Sequence, residues 1–207
     1  MPNSKAHSYS FKCLSVTIKI VATITLLVLT SCSGTYDWRL IQADEGAYEV
    51  MFPSKPTNAE RTLQVGDSKY VMTMTAARAG DALFAVGVID LGNDVQKVPS
   101  ILDWLKENTS KSLKSVASIK EESNLSVVVA GHTKQQLSAT GLKMTGSGPD
   151  DAPRLFWVRW VPRVDESGHV RIYQINILQS FKDKKDALNI QPLQEQYETF
   201  YESFHPY

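Results

Sequence analysis

Apolar and polar residues alternate through much of the chain, and a period of two marks half-buried strands. Tyr48, Val50 and Phe52 share one face before Pro53-Ser54-Lys55-Pro56 ends the run. Residues 61–65 and 69–77 flank Gly66-Asp67, and Gly80-Asp81 separates 69–77 from 83–90; both dipeptides suit hairpin turns. After Pro99 the period changes. Leu102, Leu105, Thr109, Leu113 and Val116 recur every three or four residues, which predicts a helix. Pro99 suits its first turn, and Lys106, Lys111 and Lys114 suit its negative end. Residues 126–130 and 134–139 read as strands about Gly131-His132, and 146–153 as a loop. Residues 155–164 and 169–179 read as a hairpin about the 165–168 turn. Leu193, Tyr197, Phe200, Tyr201 and Phe204 form the stripe of a closing helix opened by Pro192. The order predicts an α+β domain: a mostly antiparallel sheet with helices packed on it.

The first 31 residues follow a different rule. They hold Lys5, Lys12 and Lys19 and no acidic residue, and an uninterrupted apolar-and-threonine stretch runs over 20–29. A spanning helix needs about 20 apolar residues, so a basic head and a short apolar stretch read instead as an export signal. No Arg-Arg pair precedes the stretch, which favours the general export route.

The stretch ends in Leu29-Thr30-Ser31-Cys32, which resembles the lipobox of bacterial lipoproteins. The resemblance implies diacylglycerol on the Cys32 thiol, cleavage before Cys32 and acylation of the new amino group. An ordinary signal peptide cut nearby, with Cys32 incidental, is the plainer alternative. Ser33, next after the cysteine, implies by the same resemblance sorting to an outer membrane, facing the periplasm, where the source has two membranes. Three segments follow: a removed signal over 1–31, a lipidated N-terminus and tether over 32–37, and one α+β domain over 38–207.

Cysteine usage agrees. Cys13 leaves with the signal, so Cys32 is the only cysteine of the mature chain and no internal disulfide is possible. The full chain balances 22 basic against 22 acidic side chains; losing three lysines leaves 19 against 22, a formal charge of −3. That balance argues against a dedicated nucleic-acid binder, which needs a basic surface. With 43% apolar residues the chain is neither disordered nor short of a core.

A second resemblance spans most of the mature chain. Residues 48–56, reading Tyr-Glu-Val-Met-Phe-Pro-Ser-Lys-Pro, resemble the opening of PsbP-like domains. Gly131-His132, then residues 171–175, then Phe200-Tyr201-Glu202-Ser203-Phe204 follow in the order those domains show. The resemblance implies an α/β/α sandwich, as in uncharacterised bacterial envelope lipoproteins, and a small accessory or binding module. It implies no shared catalytic residue.

No catalytic, metal or cofactor signature emerges. His7, His132, His169 and His205 lack the i, i+4 spacing of a helical zinc motif, and His132 and His169 read as solvated turn histidines. The pairs Asp44-Glu45, Asp150-Asp151 and Asp165-Glu166 lie beside glycine or proline, as turn carboxylates do. The densest constellation is residues 154–163, where Leu155, Trp157, Arg159 and Val161 share one strand face and Phe156, Val158 and Trp160 the other. Trp157 and Arg159 are candidates for a partner-binding patch. Core aromatics with Arg159 at the sheet margin are the favoured reading. The leading expectation is a non-enzymatic envelope module, held to the bilayer by acylated Cys32 and binding another envelope protein. A periplasmic hydrolase with a dispersed active site is the alternative.

Overall fold

A computed structural model describes residues 35–207. Strands β1 (Arg39–Ala43) and β2 (Tyr48–Phe52) form a hairpin, followed by β3 (Thr57–Val65), β4 (Ser68–Ala79) and β5 (Ala82–Asp90). Helix α1 (Val98–Ser110) precedes β6 (Ser115–Val129), β7 (His132–Ser147), β8 (Pro153–Val164) and β9 (Val170–Ser180). The short α2 (Lys184–Leu188), then α3 (Gln191–Glu202) and β10 (His205–Pro206), close the chain. Seven strands form one sheet in the order β3-β4-β5-β9-β8-β7-β6, and β1-β2-β10 form a second. Every pairing is antiparallel.

The middle strands β5, β9 and β8 are buried on both faces, which is why their sequences are apolar almost throughout. On one face Phe84, Val86, Trp157 and Ile175 pack with Tyr48, Val50 and Phe52 of β2 and Tyr197 and Phe200 of α3. On the other, Ile89, Phe156, Val158, Trp160 and Ile172 pack with Ile101 and Leu105 of α1. The α+β class and the antiparallel sheet are as the periodicity predicts. The Gly66-Asp67, Gly80-Asp81 and 165–168 turns join strands as expected, with Gly66, Gly80 and Gly168 all at positive φ.

Several boundaries differ. Helix α1 stops at Ser110, so Leu113 and Val116 lie outside it: Leu113 drops into the α1 core, whereas Val116 is 39% exposed on β6. The periodicity overruns because Leu113 faces the same core from a turn. Strand β6 begins at Ser115, eleven residues before the predicted 126, because its first residues are almost all exposed and show no alternation. Strand β7 runs on through Ser147, shortening the 146–153 loop. Strands β1 and β10 and helix α2 are too short to leave a periodic signal. Tyr36 and Asp37, the last two residues of the expected 32–37 tether, already touch the fold. The Tyr36 ring meets Phe84 edge-on at 6.3 Å, and the Asp37 N–H donates to the Pro53 carbonyl at 2.8 Å.

Candidate functional site

Strand β8 places Trp157 and Arg159 side by side on the face that α3 covers. Trp157 is 5% exposed and meets Tyr201 at 4.9 Å with the rings tilted by 49°, and the Tyr201 hydroxyl donates to the Trp157 carbonyl at 2.6 Å. The indole N–H donates to Glu122 Oε2 at 2.7 Å, and Arg159 Nε donates to the same oxygen at 3.4 Å. The Arg159 guanidinium lies 4.2 Å from the Tyr201 ring centroid and 5.2 Å from that of Trp157, within cation–π range. Lys143 sits 4.5 Å from the Trp157 centroid.

This cluster closes because β6, β7 and β8 are adjacent. Glu122 stands at a β-bulge, where the register with β7 slips between Glu122 and Leu125 and Asn124 takes φ 57°. At Gly141 a side chain would lie 2.6 Å from the Val158 carbonyl oxygen and 3.2 Å from both Arg159 Cγ and Glu122 Oε2. Glycine there lets carboxylate and guanidinium meet. Burial pushes the Lys143 ammonium below the ordinary lysine range and the Tyr201 hydroxyl well above the ordinary tyrosine range. Arg159, Lys143 and the Glu122 carboxylate surround the indole, and the Glu198 carboxylate also acts on Lys143. Glu122, Gly141, Lys143 and Tyr201 escape sequence reasoning because three strands and a helix bring them together. Only the Lys120-Glu121-Glu122 charge run, carried on a strand, could have pointed to Glu122.

A second network lies at the β8–β9 turn. His169 Nε2 is 2.7 Å from both Asp90 carboxylate oxygens, and Arg171 bridges Asp90 at 3.6 Å and Asp165 at 3.4 Å. The Ser167 hydroxyl, with backbone N–H groups of Ser167 and His169 and the Arg171 charge, holds Asp165 down to about 2 against the opposing effect of desolvation. His169 is therefore hydrogen-bonded to Asp90 rather than a free turn histidine. His205 Nδ1 lies 3.1 Å from the Val128 carbonyl oxygen. Asp150 and Asp151 pair with Arg154 and Lys114. Among the described residues no group of three or more His, Cys, Asp or Glu side chains is placed to hold a metal ion.

Among the described residues, two surface clefts are candidates for a site. One of about 540 Å³ lies between the β1–β2 turn and the β3–β4 hairpin, lined by Asp44, Glu45, Tyr48, Asn58, Glu60 and Thr75. Its polar groups serve one another and the fold: Thr75 donates to Asn58 Oδ1 at 3.1 Å, and Asp44 accepts from the Tyr207 hydroxyl at 3.3 Å. The other, of about 390 Å³, lies beside α2 between Ser115, Pro153 and Lys184. Cys32, Ser33 and residues 1–31, where the signal is expected, lie outside the described residues.

No family model and no curated protein matches the sequence. Among solved structures the chain is similar to LpqN, a protein involved in cell envelope biogenesis of Mycobacterium tuberculosis, at 12% identity and a TM-score of 0.36. That match covers 83% of this chain and 91% of LpqN. So loose a superposition carries neither topology nor function from one chain to the other.

Proposed function

We propose that this chain is a lipid-anchored envelope lipoprotein whose folded domain is a non-enzymatic binding module facing the periplasm from the outer membrane. The observation that carries the reading is the closeness of anchor signal and fold. Leu29-Thr30-Ser31-Cys32 ends a basic-then-apolar leader, and the first packed side chain, Tyr36, follows only four residues after Cys32. Four peptide units reach at most about 14 Å, so a lipid on Cys32 would hold the domain against the bilayer. Two or three acyl chains anchor stably where one does not. Of the candidate pair, Trp157 is buried and tied to Glu122, so only the 20% of the Arg159 side chain left exposed is open to a partner, proposed to be another envelope protein. Helix on both faces of the seven-stranded sheet supports, in finer detail, a PsbP-like α/β/α sandwich.

Cell fractionation tests the anchor. The Cys32→Ala variant should stay unprocessed or appear in soluble fractions, because acyl transfer needs the cysteine sulfur. Ser33→Asp should move the protein to the inner membrane with its fold unchanged. A Cys32→Ala chain that still partitions with membranes like the parent would refute the reading.

A further inference from the structure

The end of the sheet where the chain enters the fold is built from four segments locked together. The Thr35 methyl lies 3.5 Å from where a Gly80 side chain would begin. The Asp37 N–H bonds Pro53, the Ser54 hydroxyl bonds the Arg78 carbonyl at 2.8 Å, and the Ser180 N–H bonds the Asp81 carbonyl at 3.1 Å. These contacts gather the 53–56 turn, the 80–81 turn and the 181–186 segment around the point of entry.

The charges gathered there are uneven. Arg39 pairs with Asp37, Lys114 with Asp151 and Arg154 with Asp150, and these pairs cancel. What remains is Lys55, Arg78, Lys182, Lys184 and Lys185, all exposed, against Asp81, Asp183 and Asp186. Asp183 caps α2, accepting from the Asp186 N–H at 3.0 Å, and keeps its charge, so five basic against three acidic groups leave this end two positive charges. The opposite end has the reverse sign. Asp44, Glu45, Asp67, Asp94 and Glu166 form no ion pair among the described residues, against Lys69, Lys97 and Arg163. The mature domain is acidic overall, yet the end beside its N-terminus is basic. Leu40, 59% exposed on the edge strand β1, adds an apolar group beside that end.

We infer that the basic end, with Lys55, Arg78, Lys182, Lys184 and Lys185, docks on the anionic phospholipid headgroups of the membrane that carries the anchor. This orientation rests on the lipoprotein reading above. Basic residues near a surface are attracted to anionic lipid only within about a Debye length, some 8–10 Å at ordinary salt, and a tether reaching at most about 14 Å lets this end come within that range. The acidic end then points away from the membrane, toward the space where a partner is met.

Lysine acetylation of the purified mature protein on vesicles tests this, using phosphatidylcholine vesicles with and without added phosphatidylglycerol. On anionic vesicles Lys55, Lys182, Lys184 and Lys185 should label severalfold more slowly than on neutral ones, with Lys69 and Lys97 unchanged. High salt, or the combined Lys182→Glu, Lys184→Glu and Lys185→Glu variant, should restore labelling of Lys55 while the protein stays bound. Equal labelling on the two vesicle types, or slowing at Lys69 and Lys97 instead, would overturn the orientation while leaving the anchor intact. Protein that fails to bind vesicles and shows an unmodified Cys32 mass would overturn the lipoprotein reading, and the orientation with it.

Discussion

At the residue scale, Glu122 gathers the cluster: one carboxylate oxygen takes bonds from both Trp157 and Arg159. Arg159 and Glu122 side chains are 20% and 14% exposed, so their pairing counts for more than a surface ion pair. Arg159→Ala should cost about 1–3 kcal/mol in urea unfolding, because it strips a half-buried carboxylate of its cation and uncovers Tyr201. Arg159→Lys should recover only part, since an ammonium cannot lie flat on the ring while bonding Glu122. A loss within experimental error for Arg159→Ala would show that this side chain is free for a partner and unneeded by the fold. Asp165 makes a second case. Its carboxyl is held down to about 2, below its unfolded value, so its contribution is present above about pH 4 and is lost as pH falls toward 2. Asp165→Asn should flatten the acid limb of stability over that window. An unchanged limb would mean that the Ser167 and Arg171 contacts do not differ in strength between the two protonation states.

At the element scale, α3 is the main cover of one sheet face. Phe200 is fully buried, 5.5 Å from Phe52 and 5.2 Å from Phe84, and Phe200→Ala should cost about 3–5 kcal/mol. Removing residues 192–207 takes away α3 and β10 together and should leave a protease-sensitive product. A truncated domain that melts like the parent would make α3 peripheral. What the sequence reveals at this scale follows burial. Strands β5, β8 and β9 and helices α1 and α3 are legible because one face or both faces are apolar over many residues. The first half of β6 is illegible because it is an edge strand whose side chains meet water. Its bulges and its charged Lys120, Glu121 and Glu122 are how an edge avoids pairing with other chains, and those same features blur the period of two. Trp157 and Arg159 could be picked out as a pair from their alternation. Their partners could not, because Glu122, Gly141 and Lys143 reach them only across strand pairings that no local pattern encodes.

At the scale of the whole molecule, residues 35–207 form a domain with a basic end where the chain enters and an acidic end opposite, and the expected leader closes on Cys32. The seven-stranded sheet supplies the rigid frame between the two ends. Tyr36, four residues after Cys32 in the sequence, already stacks on Trp38 at 5.7 Å and packs against Phe84. The central claim is that the sulfur of Cys32 carries the lipid that holds this frame at the membrane. Intact-mass measurement of the protein extracted from membranes tests it most directly. The account predicts a chain that begins at Cys32 and carries a thioether-linked diacylglycerol. A chain starting at any other residue with an unmodified N-terminus, or one with a free Cys32 thiol, would contradict it.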